Sequence, residues 1–115
     1  MSTRATIEFS DRRETFYVYR HCDGYPEQVM PNIMSAIKKS RGFGFMGKAR
    51  GLVSFFIRIH FRHEQLPDYE LTSGFHGDES YRYFVKYNQQ YRFWEVKHEV
   101  SKNREAEVSY AEKSF

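Results

Sequence analysis

The sequence predicts an α+β domain in which an antiparallel sheet of about five strands, drawn from both ends of the chain, carries one or two helices on one face. Three observations lead there. Alternating apolar residues open the chain, an apolar stripe of helical spacing follows, and three β-rich segments fill the last third. The 115 residues suit one core, so a single domain over 1–100 is expected, followed by a charged tail over 101–115. With 40% hydrophobic and 18% aromatic residues the chain is too rich in packing material to be disordered.

Ala5, Ile7 and Phe9 alternate with polar residues, and Phe16 to Tyr19 form a second β-rich run after the polar stretch from Ser10 to Glu14. That pattern is a hairpin. Asp23-Gly24 marks a turn, and Pro26 with Glu27 supplies a helix entrance. Val29, Ile33 and Ile37, beside Met30 and Met34, form the apolar stripe of the helix that follows, with Lys38, Lys39 and Arg41 at its C-terminal end and Gly42 as its left-handed cap. Pro31 removes a backbone donor and leaves the start of the regular helix open.

Residues 42–51 have loop composition, with four glycines. Residues 52–62 support two readings. Val53, Phe55, Ile57, Ile59 and Phe61 alternate as in a strand, whereas Ser54, Arg58 and Arg62 lie four apart as on the polar line of a helix whose buried stripe is Leu52, Phe55, Phe56 and Ile59. Beyond them "YELTSGF", "YRYFVKY" and "YRFWEVKHEV" read as an antiparallel meander, with Trp94, Phe84 and alternating tyrosines helping to build the core.

Charge is distributed unevenly. Between Gln28 and His63 stand Lys38, Lys39, Arg41, Lys48, Arg50, Arg58 and Arg62 with no Asp or Glu, while the chain beyond His63 has ten acids against seven bases. A positive field at one end of the molecule would attract an anionic partner: nucleic acid, a nucleotide or an acidic protein surface. Lys38, Lys39, Arg41, Lys48 and Arg50 would provide the attraction, and Phe43 and Phe45 would stack or anchor. The alternative is a solvated face that only maintains solubility.

Two further patterns share this region. Arg41-Gly42-Phe43-Gly44-Phe45 matches the start of an RNA-recognition strand, but Lys48 stands where that signature has an aromatic residue and no strand separates the motif from the preceding helix. Gly42-x-Gly44-x-x-Gly47 matches the dinucleotide fingerprint, but it leaves a helix rather than a strand. A glycine-rich connection explains both.

No run approaches the roughly 18 apolar residues of a membrane helix, and "MSTRATIEF" lacks the apolar core of a secretory signal. With Cys22 as the only cysteine there is no internal disulfide, so a cytoplasmic protein without membrane contact is expected. No cofactor is implied.

The blocks "YRHCDGYPEQV" (19–29) and "HGDESYRY" (76–83), together with "STRATIEF" near the N-terminus, resemble a family of small uncharacterised bacteriophage and prophage proteins. The resemblance covers 2–29 and 69–87. It implies a second helix over the ambiguous run, a bacterial host cytoplasm and a part in counteracting host defence.

His21-x-Asp23 and His76-x-Asp78 each pair an imidazole with a carboxylate near a strand end. If the two ends meet, His21, Asp23, His76 and Asp78 are a candidate catalytic or metal-binding set for a small hydrolase or nuclease. Against this, both Asp-containing segments are turn sequences whose carboxylates bond local backbone amides. A self-associating structural protein, with tyrosines of the final meander as the interface of a homo-oligomer, is the third reading. The leading expectation is a non-enzymatic protein that binds an anion.

Overall fold

A computed structural model describes residues 3–42, 47–61, 69–100 and 112–113. Phe43, Phe45, Arg62, His63 and nearly all of the charged tail lie outside the described residues. The order is β1 (Ala5–Ser10), β2 (Thr15–Arg20), α1 (Pro26–Ser40), α2 (Ala49–His60), β3 (Tyr69–Thr72), β4 (Tyr81–Asn88), β5 (Phe93–Val100) and the two-residue β6 (Glu112–Lys113). The α+β class holds, and 52–60 is helical.

The sheet is mixed rather than antiparallel. Its order is β3-β2-β1-β4-β5-β6, and β1 runs parallel to β4, with Ile7 opposite Tyr83 and Phe9 opposite Val85. The expected meander is therefore divided: β4 and β5 form a hairpin, but β3 pairs with β2 on the far side of β1. Residues 76–80, which read as a hairpin turn in sequence, belong with 73–75 to a connection that crosses from one side of the β1–β2 hairpin to the other.

Strand alternation gives this sheet two different faces. On one, Ile7, Val18 and Tyr83 share a rung, and Phe9, Phe16, Val85 and Val96 share the next. The helices cover this face with Val29, Ile33, Ala36 and Ile37 from α1 and Leu52, Val53 and Phe56 from α2. Phe56 is fully buried, its ring centroid 5.3 Å from Phe9 and 4.9 Å from Tyr69. His60 donates from Nε2 to the Asn32 carbonyl at 3.0 Å, and the Asn32 amide donates to the Tyr69 hydroxyl at 2.7 Å, so polar contacts also join the helices and β3.

On the other face, Thr6, Tyr19 and Arg82 share a rung, as do Glu8, Tyr17 and Phe84. Residues 73–80 lie across it as a strap. Phe75 packs against Tyr17 and Phe84, and His76 stacks on Tyr19 with centroids 3.7 Å apart. Phe84 thus belongs to the strap side, whereas Trp94 joins the helix-side core as expected. Tyr83 is also core, and Tyr81 and Tyr87 pack against it, so of the β4–β5 tyrosines Tyr91 alone is largely exposed.

Pro31 lies inside α1 at an exposed position, and the helix starts before it, at Pro26. The C-cap is Arg41 in the right-handed region, and Gly42 does not adopt the left-handed conformation expected of it. No helix among the described residues is long and apolar enough to cross a membrane.

Candidate anion-binding site

The chemistry at α2's N-terminus begins with a local deficiency. Its N-cap is Lys48, which makes no side-chain capping bond, and its first turn has no acid. The first amides of a helix need acceptors and its dipole favours negative charge, so this start is poor in isolation. Asp11, from the β1–β2 turn, provides the acceptor. Its Oδ2 accepts from the Ala49 amide at 2.6 Å, while Oδ1 accepts from the Arg13 and Glu14 amides at 2.7 and 2.8 Å.

One carboxylate therefore closes the hairpin turn and caps a helix 38 residues away. Burial is the largest single influence on Asp11 and raises its pKa, but the three amide bonds and the nearby Arg13 charge together outweigh it and hold the carboxyl below its ordinary value of 3.8. Because the folded value lies below the unfolded one, the contribution is complete above about pH 4 and disappears as pH falls through the lower folded value. Asp11→Ala should cost about 1 kcal/mol at neutral pH, the usual loss for a helix cap in a partly solvated place. It should also flatten the acid side of the stability profile relative to wild type; urea melts between pH 3 and 7 measure both.

The same turn brings further charge to α2. Glu14 pairs with Arg50 through two bonds, the Nε–Oε1 contact being 3.0 Å, and the Arg50 hydrogen bond holds the Glu14 carboxyl below its ordinary range. Arg50, predicted as a binding cation, is thus neutralised by its own chain. The neutralising acid comes from the hairpin turn, not from the acidic last third.

Between this turn, the start of α2 and the β4–β5 turn lies an open cleft of about 870 Å³. Arg12, Arg13, Lys48 and Arg92 line it, with Tyr87 and Gln89 from the end of β4 and its turn, and with Asp11, Glu14, Arg50 and Gly47 beside them. These first four cations are exposed and have no ion pair within 4 Å among the described residues. Gly47 is required here: at φ +78° it lies against the Tyr87 ring, where an added Cβ would come within 2.7 Å. That approach sets Lys48 at the rim.

Of the predicted cations the cleft gathers Lys48 and Arg50; Lys38, Lys39 and Arg41 are exposed at the end of α1 and do not line it. Arg12, Arg13 and Arg92 were not anticipated: the first two stand on a stretch read only as a hairpin turn, and Arg92 was read as the start of a strand but lies in the β4–β5 turn. The described residues of "RGFGFMG", namely Arg41, Gly42 and Gly47, lie outside any strand, and the stretch connects two helices.

The two His-x-Asp blocks are linked through Tyr19, whose ring lies 4.9 Å from His21 and stacks on His76, and His21, His76 and Asp78 take separate partners. Tyr19 is buried and its hydroxyl donates to both Asp78 oxygens at 3.1 Å, and Arg4 lies 3.8 Å from the same carboxylate. His76 shares a 2.7 Å hydrogen bond with the Thr72 hydroxyl, and His21 lies 3.1 Å from Glu70. Asp23 takes a left-handed turn conformation at φ 55°, and the carbonyls of Cys22 and Asp23 accept from the buried Arg20 guanidinium. Tyr83 donates to the Gly24 carbonyl at 2.6 Å, and Gly24 is packed so closely that a Cβ would come within 2.7 Å of Ala5. Among the described residues no three His, Cys, Asp or Glu side chains are grouped so as to hold a metal ion. Compared with protein-family models, curated proteins and solved structures, the chain finds no match in any of the three.

Proposed function

We propose that this chain is a small non-enzymatic accessory protein that holds an anionic partner at the cleft between the β1–β2 turn, the β4–β5 turn and the start of α2. One observation carries the reading: Arg12, Arg13, Lys48 and Arg92 converge on a concave surface whose two carboxylates are already engaged by the Ala49 amide and by Arg50. The cleft therefore keeps a positive excess that its own acids do not cancel. Lys38, Lys39 and Arg41, exposed on the neighbouring helix end, would add long-range attraction. The resemblance of the Tyr-rich blocks to phage and prophage proteins suggests a partner within an infected bacterium: nucleic acid, a nucleotide signal or the acidic surface of a host defence protein.

A fluorescein-labelled single-stranded oligonucleotide is a suitable polyanion probe. Its affinity should fall with salt at a logarithmic slope of about −0.7 for each phosphate neutralised, so about −3 if four cations engage. Arg12→Glu with Lys48→Glu should weaken binding at least roughly tenfold at low salt. Anisotropy titrations at 50 and 200 mM salt test this, and an affinity indifferent to both salt and charge reversal would refute the reading.

A further inference from the structure

The shape of the cleft narrows the ligand class, on the assumption that the anion-binding reading holds. A duplex or long single strand is usually tracked by an extended stripe of cations, each meeting one phosphate. Here the cations are gathered around one concavity. Arg12 and Arg13 enter from the hairpin turn, Lys48 from the rim of α2 and Arg92 from the β4–β5 turn. At about 870 Å³ the concavity falls in the range of roughly 300–1,000 Å³ typical of small-molecule sites. Three guanidinium forks and one ammonium around such a volume match a compact group with three or four negative charges and many acceptor oxygens.

A carboxylate or sulfate would satisfy only part of this set. We propose that the cleft binds a triphosphate group, free or at the end of a nucleotide. Tyr87, whose ring is fixed against Gly47 and lies 5.1 Å from Trp94, provides a flat surface at the wall, and the Gln89 amide can both donate and accept. These two groups are placed to recognise whatever the triphosphate is attached to. The α2 amide already taken by Asp11 is not counted among the donors.

Calorimetry on the intact chain tests the proposal with inorganic triphosphate, a set of nucleoside triphosphates, sulfate and the oligonucleotide. Trp94, the only tryptophan, reports binding independently through its fluorescence because Tyr87 lies between it and the cleft. Saturable binding of triphosphate, tighter than sulfate by at least roughly tenfold and weakened roughly tenfold by either Arg12→Ala or Lys48→Ala, is the expected result. Both side chains are exposed, so these variants should keep the fold, and circular dichroism checks that they do. Equal affinity for inorganic triphosphate and nucleotides would limit recognition to the phosphates; a tighter nucleotide that loses its advantage in Tyr87→Ala would extend it to the base. Triphosphate binding no better than sulfate, with the oligonucleotide still bound and sensitive to Arg12→Glu/Lys48→Glu, would overturn the ligand class and leave anion binding standing. If neither probe bound, both would fall.

Discussion

Phe56→Ala is expected to lower unfolding free energy by about 3–5 kcal/mol, the range for truncating a large buried aromatic residue. Phe56 is fully buried and meets Phe9 of β1, Tyr69 of β3 and His60 of its own helix, with centroids 5.3, 4.9 and 4.7 Å away. Each neighbour is constrained by its strand or by another bond: Tyr69 accepts from Asn32 and supports Arg20 above its ring at 4.7 Å. The site therefore cannot collapse easily, and much of the removed ring should remain as a cavity. The adjacent Phe55 is only partly buried, so Phe55→Ala should cost clearly less. Urea unfolding of both variants measures the difference through the midpoint, with little change in slope if the denatured state is unaltered. Equal losses at 55 and 56 would contradict the helical placement of this segment.

This pair also shows why residues 52–62 could not be resolved from sequence. Leu52, Val53 and Phe56 are buried in the helix, but an alternating strand also claims Val53 and both patterns claim Phe55 and Ile59. The deciding contacts come from elsewhere. Asp11 caps the helix from 38 residues away, while the local sequence offers Lys48 as N-cap and no first-turn acid. Within the hairpin and α1 the local signals sufficed: Ala5, Ile7 and Phe9 face the core as their alternation requires, and Val29, Ile33 and Ile37 face the sheet.

Strand order was not legible for a related reason. An alternating pattern shows which side of a strand is buried but not which strand lies beside it, so β1 gave no sign of its parallel partner β4. The sequence from His76 to Ser80 has hairpin-turn composition, yet residues 73–80 span the outer face because Phe75 and His76 find aromatic partners there. The candidate cleft was half legible: Lys48 and Arg50 stood out in an acid-free run, but the engagement of Arg50 by Glu14 and the convergence of Arg12, Arg13 and Arg92 depend on which turns the sheet brings to one end.

Glu79→Ala should release that strap at a cost of about 2–4 kcal/mol. The Glu79 side chain is wholly inaccessible, a position a carboxylate seldom occupies without compensation. Oε1 accepts from the Gly77 amide at 2.7 Å and Oε2 from Arg82 Nε at 2.9 Å, so it fastens the strap both to itself and to the start of β4. Arg82 in turn lies 4.7 Å from the Phe75 ring centroid, which connects the ion pair to the aromatic contacts on Tyr17 and Phe84. Removing the carboxylate leaves an amide and a guanidinium short of an acceptor. Because the Arg82 side chain is one-third exposed, at 33%, water can recover part of the loss, which keeps the estimate below that for a fully buried pair. Glu79→Gln retains the volume and one acceptor and should cost less than half as much.

The expected signature is regional. Amide exchange should accelerate across 73–80 and much less across β1 and β4, which the helices hold from the other side. Tyr19 gives a second readout. Burial, followed by its bond to Asp78, pushes its phenol up to about 12, so a loosened strap should return that titration toward the ordinary value of 10. A variant with unchanged exchange over 73–80, unchanged Tyr19 titration and a loss below about 0.5 kcal/mol would show that the aromatic stacking alone keeps the strap in place.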